Sequence, residues 1–268
     1  MITQTDKKTI SDYSVQWTRY TDNSGYYGSV AMLQDIFGPL LPVEFVKDKK
    51  VCDIGSGTGR IVNMLLDAGA RLVIAVEPSD AYKACEINTS LRKERVELIN
   101  DIGESLPPRG DIDLIVSFGV LDHICDPMPT IRAAYRALKP GGKMLIWIYG
   151  HEGNKLYLSV FLPLRRITSL LPHKPLALVS KLLCFGAEAY GFSCRFLPLP
   201  LRGYFLKQFM KLDHDKRELT VYDQLKPAYA RYYREQEAKG LLSDAEFINV
   251  RTYHRHGYSW TVMGEKPL

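Results

Sequence analysis

Between Val51 and Arg60 the chain reads VCDIGSGTGR: a short apolar run ending in an aspartate, then three glycines each two residues apart. Glycine at that density imposes a tight backbone turn and lets another group approach the main chain closely. A buried strand followed by such a turn confines the fold to a few architectures. The rest of the sequence narrows them further. RLVIAVEPSD, RVELIND, IDLIVSFGV and GKMLIWIYG are four more apolar runs, and segments of helical spacing such as RIVNMLLDAGA and PTIRAAYRALKPGG lie among them. Continuous apolar strands are buried on both faces. Their alternation with helices predicts a parallel α/β sheet with right-handed crossovers.

The glycine spacing excludes two occupants of the loop. A triphosphate loop needs a lysine and a hydroxyl after its last glycine, but Gly59 is followed by Arg60 and Ile61. The dinucleotide fingerprint is G-x-G-x-x-G, and here Gly55, Gly57 and Gly59 give G-x-G-x-G with Arg60 at the place of the third glycine. Two acids close the next strands. Glu77 ends the second, where a carboxylate can accept hydrogen bonds from a ribose diol. Asp101 ends the third, where one can accept from an exocyclic amine.

In this order and spacing, DIGSGTGR, AVEPSD, NDIGESLPP, DLIVSFGVLDHICDP and ALKPGGKMLIWIYG resemble the successive motifs of the class I S-adenosylmethionine-dependent methyltransferases. The likeness covers about residues 45–150 and the closing hairpin at 245–266. It implies a doubly wound, Rossmann-like seven-stranded sheet of order 3-2-1-4-5-7-6 with a helical insert after the fifth strand. Four stretches follow: an N-terminal helical lid (1–45), a cofactor-binding core (46–150), a helical cap (151–222) and the end of the core with its hairpin (223–268). It implies S-adenosyl-L-methionine as cofactor, cradled by Gly55, Ser56, Gly57 and Gly59. Asp53 would order the loop or meet the amino group, Glu77 with Pro78 the ribose, Asp101 and Ile102 the adenine, and Ser117 and Phe118 the sulfonium. Trp17 and Tyr20 in QWTRY would close over the cofactor. A sulfonium suits a site of carboxylates and aromatic faces and needs no anion-binding helix end.

Methyl transfer is an in-line displacement in which positioning alone can supply about 7–11 kcal/mol. A base is needed only for a neutral hydroxyl or a protonated amine. His123, just past the fourth strand, is the candidate base, with a loop-ordering role as its competitor. Tyr149, His151, His254 and His256 are candidate acceptor contacts. The expected reaction is transfer to an oxygen or nitrogen of a small molecule. A catalytically silent cofactor-binding scaffold and a nicotinamide-dependent oxidoreductase are the rival readings. No Asn-Pro-Pro-Tyr motif follows the fourth strand, and Cys125 is followed by Asp126 rather than set in a Pro-Cys nucleophile. Nucleic acid is therefore not an expected acceptor.

The net charge of +5 is concentrated in one place. Residues 151–222 hold 11 Lys and Arg against 5 Asp and Glu. This stretch is rich in Leu, Phe and Pro, and Pro175 to Tyr190 has the apolar spacing of an amphipathic helix. Its apolar faces are expected to meet the core and its basic residues to point outward. Such a cap admits an apolar or anionic acceptor, or touches a membrane surface. Five cysteines without C-x-x-C spacing predict neither a disulfide framework nor a metal site. The start MITQTDKKTI lacks the apolar stretch of a secretory signal, and no run of 18 apolar residues suggests a spanning helix. A reducing cytoplasm is the expected compartment. SDYSVQWTRY and VAMLQDIFGPLLP read as helices against the sheet's edge, and FINVRTYHRH and YSWTVMGEK as a terminal hairpin turning near His256-Gly257.

Overall fold

The computed structural model describes residues 3–226 and 229–268. Seven strands form one sheet of order β3-β2-β1-β4-β5-β7-β6, as the motifs imply. β1 (Lys50–Ile54), β2 (Leu72–Val76), β3 (Val96–Ile99), β4 (Ile112–Phe118) and β5 (Leu138–Tyr149) run parallel. β6 (Ile248–Arg255) and β7 (Ser259–Glu265) form the antiparallel hairpin, with β7 seated on β5. The central strands read as unbroken apolar runs because both faces are covered. Val51, Cys52, Val73, Ile74, Leu114 and Ile115 are all buried. The Pro140-Gly141-Gly142 turn lies inside the first part of β5. The ladder therefore jumps from Ile112↔Leu138 to Leu114↔Lys143, and Gly141 takes φ 71°.

Among the described residues ten α-helices accompany the sheet: α1 (Gln4–Trp17), α2 (Val30–Phe37), α3 (Arg60–Asp67), α4 (Ala81–Thr89), α5 (Met128–Ala137), α6 (Lys155–Thr168), α7 (His173–Ser193), α8 (Arg202–Lys207), α9 (His214–Leu225) and α10 (Glu235–Ser243). The first helix begins at a capping box in which the Thr3 side chain accepts from the Asp6 N–H and Asp6 answers to the Thr3 N–H. The two N-terminal helices differ from expectation. α2 lies on a face of the sheet rather than its edge, where Leu33, Ile36 and Phe37 share a core with Leu65, Val116 and Leu145. α1 packs against α4, which carries it across the carboxyl ends of the parallel strands.

The stretch between β5 and α10 forms its own small core, in which Leu176 and Cys184 of α7 meet Phe209 and Val221, Tyr222 and Leu225 of α9. Its orientation corrects the sequence reading. On α7 the buried positions are Leu176, Ser180, Cys184 and Gly191, whereas Leu178, Leu182, Phe185 and Phe192 are exposed.

Candidate active site

A cavity of about 360 Å³ opens where β1, β2 and β4 end, the place at which doubly wound sheets bind ligands. Its floor is the glycine loop. Gly55, Gly57 and Gly59 take φ 79°, 53° and 80°, a region that costs L-residues about 1–2 kcal/mol. At Gly55 a side chain would strike Val120 at 2.3 Å. At Gly57 it would point into open space, with only Trp17 Nε1 at 4.0 Å. The loop thus presents bare backbone to the cavity.

Glu77 ties that loop down. One carboxylate oxygen accepts from the Gly57 N–H at 2.8 Å. The other accepts from the Ser79 N–H at 2.9 Å and from the Ser79 hydroxyl. Burial raises its pKa, and these hydrogen bonds oppose the rise. Glu77, Pro78, Gly55, Ser56, Gly57, Ile102, Phe118 and Trp17 all line the cavity.

Other residues singled out in the sequence do not. Asp53 is sealed behind the loop with one oxygen unpartnered, and burial lifts its carboxyl to about 7. Gly59 caps α3 instead of facing the space. Asp101 is exposed and accepts from the Ile102 N–H at 2.7 Å, so only the Ile102 half of that pair reaches the cavity. Ser117 is fully buried and donates to the Ile54 carbonyl, joining β4 to β1. Tyr20 packs on Tyr222 with ring centres 5.9 Å apart. The position beside Trp17 is taken by Tyr13, one helical turn earlier, whose ring stacks on it.

A second group of residues lines the same cavity. His123 is buried, and both its nitrogens are engaged. The Tyr229 carbonyl lies 2.8 Å from Nδ1 and can only accept, so Nδ1 carries the proton. Nε2 then accepts from the Tyr13 hydroxyl at 2.8 Å. Burial lowers the His123 pKa, so the ring is held neutral. Its neighbour Asp122 is fully buried with neither oxygen partnered and is pushed up to about 7 by desolvation. Tyr149 stands edge-on to His123 at 5.7 Å and accepts from Gln224 Nε2 at 3.0 Å.

The three other histidine candidates lie outside. The backbone N–H of His151 donates to Tyr233 beyond the end of β5. His254 stacks on Trp260 at 4.2 Å. His256 pairs with Asp35 at 2.9 Å. β6 is the outermost strand, and it brings its last residue, Arg255, to the cavity rather than either histidine.

Sequence reasoning missed what the insert contributes. Tyr204, Gln208, Leu219, Thr220, Asp223 and Gln224 face the cavity from α8, α9 and the loop between them. With Trp147 and Tyr258 of the hairpin side they build an aromatic box. Tyr204 meets Tyr258 at 4.7 Å, and Trp147 meets Tyr149 at 5.5 Å and Tyr258 at 6.3 Å. Asp223 is the carboxylate in this part. Its Oδ1 accepts from Gln16 Nε2 at 2.9 Å, and desolvation raises its pKa. The one signal in the sequence was the i, i+4 pair Thr220 and Gln224 flanking Asp223 on a helix of mixed polarity.

The cations that reach the cavity are already committed. Arg255 is bound to Asp35, Gln208 and the Tyr258 hydroxyl. Arg60 lies over the Tyr27 ring at 4.3 Å and donates to its carbonyl. Away from the cavity, Cys184, Glu188 and His214 come together, but Arg217 occupies Glu188 at 2.9 Å.

The methyltransferase-domain family matches residues 32–174, just over half of the chain. A tRNA U34 carboxymethyltransferase of Pseudoalteromonas translucida is 31% identical over 120 residues, which span 43% of this chain and 37% of that protein. A ubiquinone biosynthesis O-methyltransferase of Hydrogenovibrio crunogenus is 23% identical over 178 residues, 62% of this chain and 70% of that one. A ubiquinone biosynthesis O-methyltransferase of Pseudomonas aeruginosa is 27% identical over 128 residues, and the match covers 54% of its length. The chain thus spans between about a third and two thirds of these relatives. Among solved structures, the 1,6-didemethyltoxoflavin-N1-methyltransferase of Burkholderia thailandensis, with 1,6-didemethyltoxoflavin and S-adenosylhomocysteine bound, superposes with a TM-score of 0.55 at 15% identity. That likeness covers 98% of this chain and 87% of that one. The pyocyanin biosynthetic protein PhzM gives 0.54 at 13% identity over 88% of this chain and 55% of its own. At these identities the structures share the fold.

Proposed function

The chain belongs to the methyltransferase-domain family and is a class I S-adenosylmethionine-dependent methyltransferase, and from that premise we propose that it methylates an oxygen or nitrogen on a small, ring-bearing acceptor. The observation that carries this reading is the composition of the cavity: bare glycine backbone at one part and, at the other, an aromatic box holding one carboxylate, Asp223.

The residues present fit the cofactor. The open space over Gly57 is a cradle that any Cβ would fill. The Glu77 oxygen that takes the Gly57 N–H keeps a lone pair, and rotation of the Ser79 hydroxyl frees one on the other, so the carboxylate suits a ribose diol. Ile102 and Phe118 offer apolar contact to a base and to the sulfonium region, and Trp17 with Tyr13 covers them from α1. When bound, S-adenosylmethionine supplies an electrophilic methyl on a sulfonium. The chain's own residues do the rest.

Trp147, Tyr149, Tyr204 and Tyr258 orient a flat ring by edge and face contact. Asp223 accepts a hydrogen bond from the acceptor's O–H or N–H and takes up the proton released as that atom is methylated. Its raised pKa makes it a stronger base than an exposed aspartate. His123 holds Tyr13 and the 229 loop in place. With both nitrogens engaged it acts as a positioning residue. The carboxylates of Glu77 and Asp223, set against arginines that are already paired, favour a neutral hydroxyl or amine over an anionic acceptor. α8, α9 and α1 act as the cap that keeps water from the reacting atoms.

The names of similar proteins, an O-methyltransferase of ubiquinone biosynthesis and an N1-methyltransferase of 1,6-didemethyltoxoflavin, support a small acceptor. The test is incubation of a cell extract with the protein and isotopically labelled S-adenosylmethionine, followed by separation of small molecules from RNA and protein. Label in a small aromatic O- or N-methyl compound is expected. Label confined to tRNA would overturn the reading. No label in any fraction, despite binding of S-adenosylhomocysteine, would favour the silent scaffold.

A further inference from the structure

The outward side of α7 carries a row of large apolar side chains. Leu178, Leu182, Phe185 and Phe192 are 61%, 68%, 75% and 54% exposed. They recur at helical spacing with Ala189 between them, and Phe196 and Leu197 continue the row past the helix end. The inward positions are Leu176, Ser180, Cys184 and Gly191, with Val179, Leu183 and Ala187 beside them, and this side already has its core against α9 and the segment before it. A helix that stands in water turns its large apolar side chains inward, so this face is built for another medium. α6, which also packs on α9, exposes Val160 and Ile167 in the same way, and Leu170 follows just past its end.

Charge says which medium. Between Gly153 and Leu212 there are nine Lys and Arg and a single acid, Glu188. That acid is paired with Arg217 inside the insert, with His214 Nδ1 2.9 Å from the same oxygen. Lys174 and Lys181 are exposed on α7 with the apolar row, and Arg195 lies over the Phe192 ring at 5.5 Å. Apolar side chains accompanied by uncompensated basic ones are the pattern of a helix lying in the headgroup boundary of an anionic bilayer.

We propose that α7, with the exposed apolar residues of α6, seats this methyltransferase on an anionic membrane surface. A second copy of the chain fits less well, because a symmetric pairing would set the same basic rim against itself. A spanning helix fits less well too. α7 has 21 residues, of which an 18-residue stretch has a mean hydropathy of 1.2, about long enough to cross a bilayer, yet its inner side is already packed on α9. The consequence for the site is direct. α9 carries Val221, Tyr222 and Leu225 toward α7 and Leu219, Thr220 and Asp223 toward the cavity. One helix thus separates the docking face from the acceptor wall.

The experiment is flotation of the full chain with vesicles of phosphatidylcholine alone and of phosphatidylcholine with phosphatidylglycerol, alongside gel filtration. Flotation with the anionic vesicles is expected. It should collapse between about 0.1 M and about 1 M salt, over which the screening length falls from about 10 Å to about 3 Å. Leu182→Glu with Phe185→Glu should abolish it. Lys174→Glu and Lys181→Glu should each lower partitioning about fivefold or more, the weight of one basic residue near such a surface. All variants should still show a melting shift with S-adenosylhomocysteine, since none of these side chains is buried; if the double glutamate variant loses that shift, the lysine variants decide. No flotation of the wild type at low salt would overturn the proposal. So would flotation that none of the variants lowers, or a wild-type dimer that the double variant turns into monomer without any vesicle binding. Because binding is read without turnover, failure here leaves the proposed reaction standing, and failure of the reaction leaves this one standing.

Discussion

Glu77 is the residue at which the cofactor and the fold compete for the same oxygens. Three donors converge on its carboxylate: the Gly57 N–H, the Ser79 N–H and the Ser79 hydroxyl. Glu77→Ala removes all three acceptors. The Gly57 N–H faces the cavity and finds water, and the Ser79 hydroxyl can rotate, so about one buried donor is left unpaired. At about 1–3 kcal/mol for such a group, the ligand-free protein should lose that much stability. Two ribose hydroxyls on the ionised carboxylate are a separate contribution. Taking about 1.5–3 kcal/mol for hydrogen bonds to a charged group, S-adenosylhomocysteine should bind about 10- to 150-fold more weakly. Glu77→Gln separates the two effects. The amide keeps one oxygen for the loop and turns an NH2 toward one of the present donors. It should lose less stability than alanine while still weakening the ligand about tenfold. Calorimetric titration with S-adenosylhomocysteine and melting without ligand give both numbers. If the alanine variant melts lower while both variants bind within twofold of wild type, Glu77 is a loop anchor only and the ribose assignment is wrong.

Gly57→Val should abolish the melting shift with S-adenosylhomocysteine, because its side chain would fill the cradle, while φ 53° costs the unliganded fold about 1–2 kcal/mol; an undiminished shift would remove the loop from the site. Asp223→Asn should lower kcat/KM for the identified acceptor by about 10²-fold or more, the low end for a proton-transfer group, and leave S-adenosylhomocysteine affinity within twofold; full activity would leave the proton to another group. Asp122, lifted to about 7 by burial, keeps its proton in the folded protein where the unfolded chain has lost it. Stability should therefore fall as pH rises from about 4 to about 7 and level off above, a loss on the order of 4 kcal/mol for this group. Asp122→Asn should flatten that part of a denaturation series measured against pH, and an unchanged slope would show that Asp122 is ionised in the folded state.

The legible part of this protein is the part whose sequence signals are local. Strand β1 and its loop could be read because three positive-φ glycines after a buried apolar run leave few alternatives. Glu77 and Ile102 followed, since each sits at a fixed offset from the end of its own strand. Ser117 and Asp101 also lie at or near strand ends, yet one is buried against Ile54 and the other turned out to solvent. An offset places a Cα at the strand end. It does not settle which side of the sheet the side chain takes, because neighbours along a strand alternate faces. His254 and His256 failed for a longer-range reason. β6 lies beyond β7 and brings Arg255 to the cavity, while His254 turns to the Trp260 ring and His256 to Asp35, contacts made across the sheet and with α2. Asp223 was invisible because its partners, Gln16 and the cavity itself, are brought together only by α1 crossing the strand ends.

The insert shows how a pattern can be right in period and wrong in direction. Apolar residues at helical spacing identify α7, but spacing carries no information about which face the protein supplies with a core. On α7 the choice went to the face of Leu176, Ser180, Cys184 and Gly191, because α9 brings Phe209's neighbours Val221, Tyr222 and Leu225 close against it. Small residues there permit a close approach, and Gly191 already has Met210 and Phe205 within about 3 Å of where a Cβ would stand. Bulky side chains in place of Ser180, Cys184 and Gly191 would hold α9 and the segment before it away from the cavity and withdraw Asp223 and Gln224 from its wall. The close packing that sets the acceptor wall thus leaves Leu182 and Phe185 with nothing of this chain to cover them. The exposed row and the placement of Asp223 have one cause, the order of small and large residues around a single helix.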